Sequence, residues 1–166
     1  MCCFPALFLA HALGGLDSED SYPYFSGSTK KNGDCSYHSE DNVFKGTGWR
    51  MHDGVCTWME HYDELVLTDA LYRRGPVSVS IDAGQDGFHF YSGGVYYDTN
   101  CAREHTSHAV FATGYGVENG SGMPYYIVKN SWGTGWGVNG YINMARNQDS
   151  MCAIAKSGYM PKLERT

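Results

Sequence analysis

The sequence predicts an α+β chain in which one helix leads into an antiparallel sheet or a small open barrel. Three observations point there. Apolar and polar residues alternate with period two in several runs after Pro76, a single stretch of helical patterning precedes Gly75-Pro76, and 21 Gly and 13 Tyr are spread through the 166 residues. Glycine turns between aromatic segments favour strands, because aromatic side chains pack well on a pleated surface and glycine permits the tight reversals.

In chain order, Gly14 to Gly33 is rich in Gly, Ser, Asp and Tyr-Pro-Tyr and reads as irregular loop. From Asp63 to Arg74, the placing of Leu65, Leu67, Leu71 and Tyr72 predicts a helix. Thr68 and Asp69 offer caps for a shorter one, and Gly75-Pro76 stops either version. Val77, Val79 and Ile81 then alternate with Ser78, Ser80 and Asp82, as in a half-buried strand. Further strands are expected at Gly94 to Tyr97, His108 to Tyr115, Tyr125 to Lys129 and Gly140 to Ala145, each bounded by Gly or Asn turn signals.

The length suits one domain with a real core. Net charge is −6, and Lys30-Lys31 and Arg73-Arg74 are the only adjacent basic pairs, which argues against nucleic acid and against an anionic membrane surface. No apolar run is long enough to span a bilayer. Met1 to Leu13 is apolar and ends in Ala10-His11-Ala12, which resembles a cleavage site. It lacks a basic start and is short for a signal peptide, so a buried helix or the scar of a truncation is the preferred reading. Asn119-Gly120-Ser121 is an N-glycosylation sequon, a triplet that also arises by chance.

Six cysteines stand at 2, 3, 35, 56, 101 and 152. They lack the CxxC pairing of structural zinc sites, so neither a metal nor a cofactor is expected. The even number fits an oxidising compartment, and six cysteines allow 15 pairings among which spacing does not choose.

Two segments carry chemistry. One is Ser107-His108-Ala109-Val110-Phe111-Ala112-Thr113-Gly114-Tyr115-Gly116, which begins an apolar strand with a histidine. The other is Lys129-Asn130-Ser131-Trp132-Gly133-Thr134-Gly135-Trp136-Gly137. A histidine that acts as a base needs a partner on its second nitrogen to fix ring and tautomer. An asparagine oxygen does this without adding charge. Trp132, with Ser131 and Trp136 beside it, would keep water from the His–Asn bond. The 22 residues between His108 and Asn130 suit adjacent strands. Taken alone, a strand histidine is more often a satisfied structural group than a catalyst.

These two segments, together with Gly14-Gly15-Leu16-Asp17-Ser18-Glu19-Asp20-Ser21-Tyr22-Pro23-Tyr24 and Gly75-Pro76-Val77-Ser78-Val79-Ser80-Ile81-Asp82-Ala83, resemble papain-like cysteine proteases of the cathepsin L type. They occur in the family's order. The resemblance runs from Gly14 to Pro161, leaving residues 1–13 outside it and placing 14–166 as a C-terminal peptidase portion. It implies the antiparallel β-barrel-like domain of the papain fold with remnants of the helical domain. It also implies a thiol endopeptidase in which His108 is the base, Asn130 orients it and Trp132 shields their bond. Ser80, Thr106, Ala109 and Ser157 would line part of the pocket for the substrate's P2 side chain. Cys101 and Cys152 would form a disulfide, Cys35 matches a cysteine whose family partner belongs to the portion before this chain and is expected to be unpaired, and the resemblance does not assign Cys56. Ser107 departs from the Asp or Asn often found before the histidine.

Peptide and protein substrates are the implied partners, with cystatin-like inhibitors or a propeptide beside them, in a lysosomal or extracellular setting. The family's Cys-Gly-Ser-Cys-Trp-like run lies about 130 to 150 residues before its histidine. With His108 at position 108 that run falls before Met1. Cys3-Phe4 has only a faint likeness to it. The 166 residues alone are therefore expected to hydrolyse no peptide, and a truncated isoform that binds substrates, propeptides or inhibitors without cutting is the alternative.

Overall fold

The computed structural model describes residues 15–43, 49–56 and 63–165. The apolar segment 1–13, with Cys2 and Cys3, lies outside the described residues. The chain divides into two compact units, one containing residues 57–160 and the other residues 2–56 and 161–166.

The first unit opens with helix α1, Glu64–Arg74. Its start is set by Asp63, whose carboxylate accepts the Leu65 N–H at 2.7 Å and satisfies one of the orphan donors of the first turn. Thr68 does not cap a shorter helix; its hydroxyl donates to the Glu64 carbonyl one turn back at 2.7 Å. Glu64 in the first turn and Arg73-Arg74 in the last complement the helix dipole. Gly75, at φ 100°, ends the helix in a backbone conformation that favours glycine. The apolar pattern is only half used. Leu67 and Leu71 are buried, whereas Leu65 and Tyr72 are 73% and 77% exposed.

Six strands follow: β2 Val77–Ile81, β3 Val95–Tyr96, β4 His108–Val117, β5 Pro124–Lys129, β6 Tyr141–Ala145 and β7 Gly158–Tyr159. The strand Trp49–Cys56, in the other unit, is β1. The sheet order is β3-β6-β5-β4-β2-β7. All pairs are antiparallel except β3 with β6, which is parallel. This makes the sheet mixed, and it stays open. Its edges are two strands of two residues each, and short edges are a known defence against stray pairing. The α+β class expected from the sequence holds; closure into a barrel is not among the pairings.

Alternation puts Val77, Val79, Ile81, Ala112, Tyr126, Val128, Ile142 and Met144 in one core with Leu67 and Phe88. Each fully buried aliphatic of this kind contributes roughly 1.5–3 kcal/mol. Tyr126 adds a tether, its hydroxyl donating to the Glu64 carbonyl at 2.9 Å, and burial pushes its ionisation upward. Leu67→Ala would open a cavity between α1 and the sheet at a cost of about 2–5 kcal/mol.

The second unit pairs β1 with β8, Pro161–Arg165, in antiparallel register. Within the segment expected to be irregular, Ser26–Thr29 forms one helical turn, and Asp17 makes an isolated bridge to Asn42.

Candidate active site

Strand β4 begins at His108, paired with Ile81 at the end of β2. Asn130 follows the last residue of β5, and its backbone N–H donates to the Gly140 carbonyl at 2.9 Å. These anchors bring the two side chains together, with His108 Nε2 2.8 Å from Asn130 Oδ1. A carboxamide oxygen only accepts, so Nε2 carries the proton and donates, and the lone pair of the neutral ring lies on Nδ1. Among the described residues, Nδ1 has no hydrogen-bond partner. Asn130 is 6% exposed, and its Nδ2 is buried without a partner among the described residues, so the carboxamide is held through its oxygen and its backbone.

An aromatic cluster encloses one side of this pair. The Trp132 ring lies 5.2 Å from His108, 5.1 Å from His89 and 5.4 Å from Trp136, centroid to centroid. Phe88, fully buried, meets His108, Trp132 and Trp136 at 6.3, 5.6 and 5.1 Å. Trp136 is fixed by its indole N–H, which donates to the His89 carbonyl at 3.0 Å. Gly137, at φ 58°, allows the chain to turn here; a side chain would run into the Tyr141 carbonyl. Trp132 is itself 40% exposed, so its ring packs against His108 while keeping one wet face.

The four residues assigned to a substrate pocket divide. Ser80 pairs with Ala109 across β2 and β4, and Ser157 precedes β7, which pairs with the other edge of β2. Ser80 and Ala109 thus lie on adjacent strands, with Ser157 just before the strand on the other side of β2. Thr106 stands apart from the ladder, exposed in the loop two residues before His108.

Sequence reasoning missed two features around His108, a one-turn helix and a carboxylate. Phe88 and His89 come from α2, the one-turn helix Asp86–His89, and the run Phe88-His89-Phe90 was the available signal. The other is Asp82. Its carboxylate accepts the Ala102 N–H at 2.6 Å, the Gly84 N–H at 3.1 Å and the Gln85 amide at 3.4 Å, and it is hydrogen-bonded to the Ser107 hydroxyl. The Ser107 hydroxyl in turn accepts the Ala83 N–H at 3.1 Å. Burial alone would raise the Asp82 pKa, but these donors outweigh it and hold the group below the usual carboxylate range. A network of fixed donors thus closes around the residue preceding His108.

Cys101 and Cys152 form a disulfide, and Cys35 is an exposed free thiol. Among the described residues no group of three His, Cys, Asp or Glu side chains is arranged to hold a metal ion, and no helix is long and apolar enough to cross a membrane.

The model of the papain family cysteine proteases matches residues 4–162. Cathepsin K of Mus musculus is 42% identical over 150 residues, covering 90% of this chain and 42% of its own length. Procathepsin L of Felis catus is 40% identical, covering 89% of this chain and 42% of its own length. The chain spans about two-fifths of the length of these relatives. Among solved structures, digestive procathepsin L2 from the Tenebrio molitor larval midgut superposes with a TM-score of 0.78 at 39% identity, covering 95% of this chain and 45% of that one. Bromelain from Ananas comosus, in complex with the E64 inhibitor, gives 0.77 at 30% identity, covering 97% and 69%. The family match over residues 4–162 and relatives 40–42% identical across about nine-tenths of the chain show that it belongs to the papain family of cysteine proteases.

Proposed function

We propose that this chain supplies the base-bearing wall of a thiol endopeptidase, with His108 as the base and Asn130 as the residue that orients it. The observation that carries this reading is the 2.8 Å contact between His108 Nε2 and Asn130 Oδ1. With Nε2 committed to Asn130, Nδ1 is the atom that takes the proton of a cysteine thiol. The resulting thiolate attacks the peptide carbonyl, and the imidazolium returns its proton from Nδ1 to the leaving amine. Asn130 holds the ring through both steps, and Trp132 limits water's access to the bond. Ser80 and Ala109, paired across β2 and β4, with Ser157 just before β7 and Thr106 in the loop before His108, form the surface for the P2 side chain.

The sequence holds no Cys-Gly-Ser-Cys-Trp run. We infer that a polypeptide of these 166 residues hydrolyses no peptide by itself, because none of its cysteines stands in such a run. The same observation favours a second reading, in which the chain occupies peptide substrates, propeptides or cystatin-like inhibitors without cutting. The disulfide fits a lysosomal or extracellular setting.

The test compares this chain with a version extended upstream by a family nucleophile segment, using a fluorogenic peptide and an epoxide probe such as E64. The expected result is turnover and labelling in the extended version, both abolished by His108→Ala, and neither in the 166-residue chain. Stoichiometric labelling of Cys3 in the short chain, faster than free cysteine, would overturn the inactive reading. An extended enzyme indifferent to His108→Ala would remove the base assignment.

A further inference from the structure

The hairpin joining β4 to β5 carries chemistry that the protease reading leaves unused. Its turn is closed by two backbone bonds, Glu118 N–H to the Met123 carbonyl at 2.9 Å and Gly122 N–H to the Glu118 carbonyl at 3.0 Å. Asn119, Gly120, Ser121 and Gly122 project from it into solvent. Asn119-Gly120-Ser121 is the one place in the 166 residues where an asparagine is followed two residues later by Ser or Thr.

From this geometry we propose that Asn119 is an acceptor for an N-linked oligosaccharide. Two observations go beyond the triplet itself. The first is room. A carbon placed on Gly120 or Gly122 meets nothing within 4 Å, and Asn119 is itself exposed. The neighbouring side chains are engaged instead, with the Ser121 hydroxyl donating to Glu118 at 2.5 Å and accepting the Met123 N–H at 3.2 Å. A sugar on Asn119 therefore displaces no packing and breaks no side-chain bond. The second is compartment. The Cys101–Cys152 disulfide belongs to the oxidising route along which such sugars are attached.

Position also keeps the modification compatible with the site. His108 begins β4 and Asn119 lies just past its far end. Nine strand steps of about 3.3 Å put roughly 30 Å between them, so the glycan leaves the His108 face open. In the transfer, Asn119 Nδ2 forms a C–N bond to the anomeric carbon of an oligosaccharide carried on a lipid diphosphate. The C–O bond to that diphosphate breaks, the lipid diphosphate leaves, and Nδ2 gives up one proton to the transferase. Nothing is oxidised or reduced.

The proposal does not depend on the assignment of His108. To test it, the full chain is directed into the secretory pathway of an animal cell line by a cleavable leader. Occupancy is read on intracellular and secreted pools alike, so poor folding does not hide it. Expected is a loss of one oligosaccharide mass on amidase digestion, with Asn119 converted to an aspartate carrying heavy oxygen when the digestion is run in isotopic water. Asn119→Gln and Ser121→Ala abolish the shift, and Ser121→Thr retains it. Recovery of Asn119 unmodified in both pools, or deamidated at the Asn119-Gly120 bond before any digestion, overturns the proposal.

Discussion

The backbone N–H of Ser131 donates to Asn130 Oδ1 at 2.7 Å. A backbone N–H needs an acceptor, so this contact fixes which end of the Asn130 amide faces His108, and with it the tautomer of the imidazole. Asn130→Ala removes the acceptor while leaving β5 intact. In a version carrying the family nucleophile, we expect kcat/KM to fall by roughly 10–100-fold, corresponding to a lost bond to a group that becomes charged, worth about 1.5–3 kcal/mol. Nitrogen NMR of labelled His108 gives an independent check. Recorded where the ring is neutral, the parent chain should show the single tautomer with its proton on Nε2, and the variant a mixture of tautomers. A variant that keeps the single tautomer would show that Asn130 does not set it.

Glu64 makes a second prediction, this one about stability. Its two carboxylate oxygens accept the N–H groups of Asn147 at 2.8 Å and Ser150 at 3.1 Å. That loop contains Asn147, Asp149, Ser150, Cys152 and Ala153, all non-glycine residues with positive φ. Each such residue costs of order 1 kcal/mol, and persists only where neighbours over-determine the backbone. Glu64→Gln turns one acceptor into a donor facing another donor. A loss of about 2–3 kcal/mol is expected, read as a lower urea midpoint with unchanged slope. A midpoint within error of the parent would mean that the loop holds itself.

The Cys101–Cys152 bond closes a loop of sequence separation 51. On the chain-entropy account such a closure stabilises by about 4 kcal/mol, chiefly by restricting the unfolded chain. The double variant Cys101→Ala, Cys152→Ala should therefore melt on the order of 10 °C lower. The bond also lies beside Asp82, whose backbone N–H donates to the Cys152 carbonyl at 2.9 Å. Mild reductant should reproduce the double variant's shift in the parent and have no effect on the double variant itself.

Much of the site was legible in the sequence because its two halves are strand-bound. The alternation through Val77 to Ile81 and the apolar run after His108 reveal the strands, whereas the partnership of His108 with Asn130 comes from the family resemblance, since Asn at a strand end is also an ordinary turn residue. Other features left no periodic trace. The parallel pairing of β3 with β6 depends on which strands become neighbours, and a two-residue strand such as β7 is too short to alternate. The half-exposed face of α1 shows the limit of reading apolar residues as core, since Leu65 and Tyr72 follow the pattern and still point outward. Phe88 and Asp82 act through contacts 20 or more residues away in sequence, with His108 and with Ala102 and Ser107, and local reading does not see such contacts.

Asp82 supplies the pH dependence. Its donors keep the folded pKa below the unfolded value of about 3.9. A depressed carboxylate contributes stability that is fully present above the unfolded value and lost as pH falls through the folded one. Asp82→Asn keeps the shape but removes the charge that four donors address. The variant should therefore be less stable than the parent near neutral pH, and the gap should shrink steadily below about pH 4. Partial solvent exposure screens the group, so the direction of the trend is the quantity tested. Urea midpoints for both proteins from neutral pH down into the acid range would decide it. A gap that stays constant through the acid range would mean that Asp82 contributes by shape alone and that its charge does not hold the turn before His108.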